Sequence, residues 1–251
     1  MPNLMLATTR PGEPEIFHSL QGEGVAAGRP SVFVRLSNCN LHCIWCDTPY
    51  TWNFEGTPFP HRADSSGGPA KYERAANRVT WPVERAAEAI RAFGCRHLVF
   101  TGGEPLLQQP ALAALCDALG PDFHVEIESN GTVPLTPAFD AHVDQLNLSV
   151  KLAHSGNDET ERLKPAVIAA FAADPRAWFK FVVATPADVD EVDALAADHG
   201  IAAARILLMP EGVSSAALRS REAWLAPLCL ARGYRLSDRL HIHLYGDTRG
   251  T

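Results

Sequence analysis

Residues Ser31–Tyr50 read SVFVRLSNCNLHCIWCDTPY. Ser31–Ser37 is mostly apolar and β-branched, with Arg35 the exception, which is the pattern of a buried strand. The strand feeds straight into three cysteines, Cys39, Cys43 and Cys46, spaced C-x3-C-x2-C, with Asp47 and Thr48 directly behind them. A strand ending in a ligand-bearing loop points to an α/β fold, in which working groups collect at the carboxyl ends of parallel strands. Three thiols fall one short of the four that a structural zinc site or an ordinary iron–sulfur centre requires. His42, inside the motif, is available as a fourth zinc ligand. Alternatively, each thiolate takes one iron of a 4Fe–4S cluster and the fourth iron stays open to a small molecule, as in an open catalytic zinc site. The preceding strand and the aromatic Trp45 before the last cysteine favour the cluster.

Outward from this loop the chain alternates. Asn53–Arg78, rich in Gly, Pro and Ser, reads as an inserted loop. A helix is expected from about Thr80, its N-cap, with Ala86, Ile90 and Phe93 on one face. His97–Thr101 (HLVFT) is a strand ending in Gly102-Gly103-Glu104-Pro105, and Leu112, Leu115, Cys116 and Leu119 follow at helical spacing. Further strands are expected at Val125–Glu128, Gln145–Val150, Trp178–Ala184 and Arg205–Met209, most separated by a helical stretch. Thr185–Asp188 has the form of a capping box, with Pro186 at the first helical position. Arg239–Tyr245 (RLHIHLY) alternates as a strand does.

This rhythm predicts a parallel α/β sheet built from right-handed crossovers. About six to seven strands are too few for a closed eight-stranded barrel, so an open, partial parallel β/α barrel fits better. A doubly wound sheet has the same periodicity. One domain over residues 1–251 is expected, with the insertion at about 53–78. The cysteine loop, Gly102–Pro105, Ser129-Asn130-Gly131 and Met209-Pro210-Glu211-Gly212 all fall at strand carboxyl ends, and this convergence is the main sign of function.

Composition narrows the classes. The chain has 251 residues, 46% hydrophobic and 20% charged, enough to bury a full core. A formal charge of −7 leaves no basic footprint for a nucleic acid. No run of ~18 apolar residues could span a membrane, and the first residues lack the basic-then-apolar pattern of a signal peptide. Six cysteines, three of them clustered, do not form a secreted disulfide framework, so a cytoplasmic location is expected.

The cysteine motif with its aromatic resembles the radical S-adenosylmethionine superfamily, and Gly102–Pro105 resembles that family's GGEP element. Within it, Ile16–Gly24 (IFHSLQGEG), Phe33–Cys39 (FVRLSNC), Cys46-Asp47-Thr48, Glu128–Thr132 (ESNGT), Ser149-Val150-Lys151 and His241–Gly246 (HIHLYG) resemble the 7-carboxy-7-deazaguanine synthases. The resemblance runs from about residue 14 to the C-terminus and skips Asn53–Arg78. It implies a 4Fe–4S cluster on Cys39, Cys43 and Cys46, S-adenosyl-L-methionine on the open iron, and Mg2+ at Thr48. Around the cofactor it implies Trp45, Cys46, Asp47, Gly103 and Glu128, then Ser149, Val150 and Lys151, then Met209 and Pro210. For the substrate it implies Leu20, Gln21, Gly22, Glu23 and Arg35, with Thr101 and His241. The reaction implied is a carbon–nitrogen lyase step of queuosine (7-deazapurine) biosynthesis: 6-carboxy-5,6,7,8-tetrahydropterin becomes 7-carboxy-7-deazaguanine with loss of ammonia. The implied partners are the small-molecule pterin, an electron donor such as flavodoxin, and a second copy of the chain in a homodimer. Two departures stand out: Val150 where the family often has Pro, and Met209 where it often has Gln.

Each element also has an ordinary reading. Gln21–Gly24 reads as a turn. Arg35 on an inner strand needs an anion, which a protein carboxylate supplies as well as a substrate does. Thr48 can serve as a turn or cap hydroxyl, His241 and His243 as structural histidines, and Cys95, Cys116 and Cys229 as packing residues. The competing functional classes are an activase that installs a glycyl radical on a partner protein, and a non-enzymatic zinc or cluster module. Changing any one of Cys39, Cys43 or Cys46 to Ala is expected to remove most of the cluster iron and the activity, whereas Ala at Cys95, Cys116 or Cys229 leaves both. Iron and sulfide analysis of anaerobically purified variants decides this, and a full cluster in Cys43→Ala would overturn the ligand assignment.

Overall fold

The apolar stretches pair into one open, mostly parallel sheet in a computed structural model that describes residues 2–65 and 71–251. In chain order the first strands are β1 (Asn3–Arg10), β2 (Glu13–Pro14), β3 (Ile16–Leu20), β4 (Pro30–Leu36) and β5 (Arg78–Pro82). Then come β6 (His97–Gly102), β7 (His124–Ser129), β8 (Gln145–Leu148), β9 (Ala177–Val183), β10 (Ile206–Pro210) and β11 (Arg235–Leu236). The run β4-β6-β7-β8-β9-β10-β11 is parallel throughout, seven strands that do not close on themselves. This agrees with the open parallel barrel expected from the rhythm of strands and helices. Unforeseen is the antiparallel extension at the β4 edge: β1 and β3 flank β4, and β2 and β5 pair with β1.

Side chains alternate across each strand, and here the two faces differ in chemistry. Val32, Val34, Leu36, Leu98, Phe100, Ile127, Leu148, Phe179 and Phe181 join one apolar core beneath the helices Val83–Ala92, Gln109–Leu119, Pro165–Ala173 and Pro186–His199. The opposite phase carries Arg35, Thr101, Glu126, Glu128, Asn147 and Lys180. The register places Arg35 beside Thr101 and Glu128 beside Asn147. A parallel sheet normally buries apolar residues on both faces, so this polar inner face marks a lumen with a task. A small satellite of Phe17, Phe33 and Val99 packs near its mouth.

The ends of β4 and β6 are stitched together. Gly103 N–H donates to the Leu36 carbonyl at 3.0 Å, and Glu104 N–H to the Asn38 carbonyl at 2.8 Å. A Cβ on Gly102, whose φ is +124°, would strike the Leu36 backbone, and one on Gly103 would strike the Asn38 carbonyl and Cys39 nitrogen. The two glycines are therefore required by the contact between strand ends rather than by approach to a ligand. Asn38, at the entry to the cysteine loop, has φ +77°, a left-handed conformation that Asn tolerates better than most residues.

Three local expectations need correction. The helix expected from Thr80 begins at Val83, because Arg78–Pro82 pairs with β1, and Phe93 ends it in an exposed position while Val83, Ala86, Ala87 and Ile90 are buried. Arg239–Tyr245 contains a short helix, Leu240–Tyr245, rather than a strand. A seven-residue alternation is ambiguous, and here the Leu240 N–H bonds to the Gly22 carbonyl instead of a strand neighbour. The Asn53–Arg78 insertion holds short turns at Arg62–Ser65 and Arg74–Asn77 and a bridge between Phe54 and Tyr72, with residues 66–70 outside the described part. The capping box at Thr185 and Asp188 is present and starts the helix Pro186–His199. Among the described residues no helix is long and apolar enough to cross a membrane.

Candidate active site

The lumen and the cysteine loop enclose a cavity of about 500 Å³. Cys39, Cys43 and Cys46 line it. The loop that carries them is held from several sides: Asn157 Nδ2 donates to Cys43 Sγ at 3.3 Å while its Oδ1 accepts from His42 N–H at 2.8 Å, and Ile44 N–H donates to the Ser155 carbonyl. Asn130 Nδ2 donates to Asn40 Oδ1 at 2.9 Å. From the insertion, His42 stacks on Phe59, His61 bonds the Cys46 carbonyl, and Arg62 N–H bonds the Ile44 carbonyl. The Trp45 indole stacks on His154 and donates to its carbonyl at 3.1 Å.

Burial pushes all three thiols up, Cys46 to about 11, with the nearby Glu104 charge adding to Cys39 and that of Asp47 to Cys46. Thiols so placed become good ligands only when a cation displaces their protons. Among the described residues, only Glu222, Asp238 and His243 bring three ligand atoms within 4.8 Å of one another. The three sulfurs therefore do not all lie within that distance of one another, whereas Zn–S bonds of about 2.3 Å would set tetrahedral sulfurs roughly 3.8 Å apart. One iron per thiolate suits this spread. The residues fit the cluster.

Of the residues expected around the cofactor, Trp45, Cys46, Asp47, Gly103, Glu128, Ser149, Lys151 and Met209 line the cavity. Val150 does not: it is buried in the core, where a Cβ on Gly131 would meet it. Pro210 lines a small adjoining pocket. Glu104, the acid of the GGEP element, is a fully buried knot that accepts from Leu106 N–H, Ser129 Oγ and Asn130 N–H at 2.7–3.0 Å.

All the residues expected to meet the substrate, Leu20, Gln21, Gly22, Glu23, Arg35, Thr101 and His241, line the same cavity. Arg35 Nε pairs with Glu15 Oε1 at 2.9 Å, and Tyr50 OH lies 3.0–3.1 Å from both Glu15 oxygens. A protein carboxylate thus takes one edge of the guanidinium, while its terminal nitrogens have no hydrogen-bond partner among the described residues. Gln21 Nε2 donates to Glu126 Oε1 at 2.7 Å and Glu128 Oε1 at 3.1 Å, and Thr101 Oγ1 donates to Glu128 Oε2 at 2.7 Å. His241 lies against Gly22, where any Cβ would strike its ring. Thr48 Oγ1 makes no cap bond to the following turn and sits 3.6 Å from Cys46 Sγ.

Two cations that sequence reasoning passed over complete the site. Lys180 Nζ pairs with Glu23 Oε2, and Arg239 bridges Glu23 Oε1, at 3.0 Å from Nε, to Asp47 Oδ2. Burial alone would raise Glu23, but Lys180, Arg239 and His241 hold its carboxyl well below the usual range. Burial brings His241 below its ordinary value, against the opposing pull of Glu23. Lys180 had the same signal as Arg35, a single cation inside an apolar strand (AWFKFVV). Arg239 and Glu15 carried no such signal.

The sequence model of the Radical SAM superfamily matches residues 34–212. A 7-carboxy-7-deazaguanine synthase of Pyrobaculum aerophilum is 38% identical over 98% of this chain and all of its own length. Another, of Halobacterium salinarum, is 34% identical over 94% of this chain and 91% of its own. The chain belongs to the 7-carboxy-7-deazaguanine synthase family. Among solved structures, QueE from Escherichia coli aligns over 94% of this chain and 95% of its own with a TM-score of 0.62 and 28% identity. Family membership brings the 4Fe–4S cluster and S-adenosylmethionine with it, in keeping with three open-faced thiols.

Glu23 ties the substrate side of this synthase-family site to the cofactor side. Because its pKa is held below its ordinary 4.5, its contribution to stability is present above pH 4.5 and is lost as pH falls toward the folded value. Glu23→Gln is expected to cost about 3 kcal/mol at pH 7, by leaving Lys180 buried without its carboxylate and Arg239 with Asp47 alone. Urea unfolding should show the gap to the unmodified protein narrowing below about pH 4.5. A constant gap across that range would place the effect in packing.

Proposed function

We propose that this chain is a radical S-adenosylmethionine lyase that converts 6-carboxy-5,6,7,8-tetrahydropterin to 7-carboxy-7-deazaguanine with loss of ammonia. One observation carries the reading: a single cavity joins three cluster-spaced thiols to an arginine whose terminal nitrogens have no hydrogen-bond partner among the described residues, and it lies within a chain similar to 7-carboxy-7-deazaguanine synthases over nearly its whole length. When bound, the cluster and S-adenosylmethionine supply the one-electron chemistry that removes a hydrogen atom and starts the ring contraction. The protein's own work is binding, orientation and exclusion of water.

Arg35, already fixed by Glu15, presents its remaining edge to the pterin carboxylate, a pairing whose fork geometry gives orientation as well as affinity. Glu128 and Thr101 form the adjoining wall. Thr48, whose hydroxyl is not used as a cap, offers one hard oxygen for Mg2+, and substrate and water complete the shell. Lys151, its Nζ bonded to Ser149 Oγ at 2.8 Å and near the Trp45 ring, faces the methionyl side. Gly246, Asp247, Thr248, Arg249 and Thr251 also line the cavity, with the Arg249 guanidinium 3.5 Å from the Tyr50 ring centre. A concave pocket of about 500 Å³ is of the size that takes a bicyclic small molecule. A flavodoxin-type electron donor and a homodimer belong to the same proposal.

Anaerobic turnover of the reconstituted protein with S-adenosylmethionine, a reductant and the carboxypterin, followed by the deazaguanine absorbance, tests the reaction; no product with a full cluster would overturn it. In that assay Arg35→Lys should raise KM at least tenfold while uncoupled cleavage of S-adenosylmethionine survives, because an ammonium cannot reproduce a two-pronged contact. Equal loss of both activities would make Arg35 purely structural. Added Mg2+ should stimulate the unmodified enzyme, Thr48→Ala should blunt that response at unchanged iron content, and Thr48→Ser should keep it. Indifference of the unmodified enzyme to Mg2+ and chelator would remove the metal.

A further inference from the structure

One layer beneath the cavity lie two buried polar atoms, His97 Nε2 and Glu126 Oε2, 3.3 Å apart, neither with an aligned hydrogen bond to any described group, each other included. Their side chains are 2% and 0% exposed, and neither lines the cavity. Two bare lone pairs at that distance would repel, so a proton must lie between them.

The neighbours admit an arrangement in which it sits on Glu126. Ser31 Oγ, 3.0 Å from the Arg29 carbonyl and 2.6 Å from His97 Nδ1, can donate its single proton to the carbonyl while accepting from an Nδ1–H. A neutral imidazole protonated on Nδ1 keeps a lone pair on Nε2, and the shared proton then sits on Glu126. Glu126 Oε1 accepts from Gln21 Nε2 and from Asn147 Nδ2, as the carbonyl oxygen of an acid does. An imidazolium–carboxylate pair would satisfy the same atoms, but it would place a cation near Arg29 and against the stacked His124 ring, 4.8 Å away, and a second anion near Glu128.

We propose that Glu126 stands in the folded protein as a neutral carboxylic acid, donating to His97 and, through Gln21, positioning Glu128 at the cavity wall. Gln21 has a glutamate acceptor for each Nε2 proton, and its Oε1 accepts from Glu23 N–H at 3.1 Å, so the amide cannot be reversed without losing all three bonds. Glu128 is in turn fixed by Gln21 on one oxygen and Thr101 on the other. Of the charged and titratable surroundings, burial and Glu128 favour the neutral acid, whereas Lys180 and Arg29 pull the other way and are outweighed. Those surroundings are His97 on β6, Arg29 before β4, His124 with its partner Asp144, Glu128 on the same strand, and Lys180 on β9, itself committed to Glu23. Burial, then Glu128, push Glu126 up to about 8, and burial brings His97 down to about 4.

The role as a positioning residue rests on the reaction proposed above; the protonation state does not. The test uses the full chain, unmodified and as Glu126→Gln and Glu126→Leu. Up to about pH 8 the folded pair holds one proton, whereas in the unfolded chain the histidine has released its own above its ordinary 6.5 and the glutamate above 4.5. Between pH 6.5 and 8 the folded state thus binds the extra proton, and stability falls as pH rises through that window. Glu126→Gln keeps every bond, its amide donating to His97 and its carbonyl accepting from Gln21, and has no proton to lose. The melting temperature of the unmodified protein should fall relative to Glu126→Gln between pH 6.5 and 8 and run parallel above. Parallel curves throughout would overturn the neutral acid. In turnover, Glu126→Gln should keep KM within about threefold and Glu126→Leu raise it about tenfold, with uncoupled cofactor cleavage unchanged in both. An equal rise in both variants would overturn the positioning role. A protein inactive on the pterin in every form would strike the proposed reaction alone, with the melting curves still deciding the state of Glu126.

Discussion

The site depends on a backbone contact between two strand ends. Gly103 and Glu104 donate to the carbonyls of Leu36 and Asn38, and the missing Cβ atoms of Gly102 and Gly103 let these segments approach. That contact sets the cysteine loop directly above the carboxyl ends of β4 and β6. Glu104 then extends the joint to β7 through Ser129 and Asn130, and Asn130 reaches back to Asn40 inside the loop. The loop is in this way registered against three parallel strands before any metal binds. The lumen's polar residues, one residue before those strand ends on Arg35 and Thr101, inherit the same alignment.

Charge in the lumen is balanced locally rather than left to solvent. Glu15 meets Arg35, Lys180 meets Glu23, and Arg239 spans Glu23 and Asp47. Each ion has a partner, as burial demands. The pairs also join segments remote in sequence: Arg239 and Glu23 lie 216 positions apart. The cations of the cavity are held in place before anything binds, so little ordering is left for binding to accomplish.

Much of this was legible in the sequence, because its determinants are local. The cysteine spacing, the GGEP turn, the capping box at Thr185 and the strand–helix rhythm each depend on neighbouring residues, and all appear where expected. What stayed hidden depends on distant partners. Arg78–Pro82 becomes a strand because β1 pairs with it. Leu240–Tyr245 becomes a helix because its first N–H is taken by Gly22. Val150 sits in the lumen's sequence neighbourhood yet turns into the core, since alternation along the chain sends Ser149 and Lys151 the other way. Glu15 and Arg239 read as ordinary polar residues, and only tertiary placement reveals them as counter-ions of the site.

The spacing of the three sulfurs bears on which metal the protein acquires. Thiolates bind zinc tightly, and affinity alone would let it compete with ferrous iron for these cysteines, so proteins select by geometry and availability. Here Asn157, Ser155, Asn130 and the insertion's His61 hold the loop from outside. A lone tetrahedral ion would have to draw at least one sulfur inward against those contacts, whereas a cluster takes each thiolate on a separate iron.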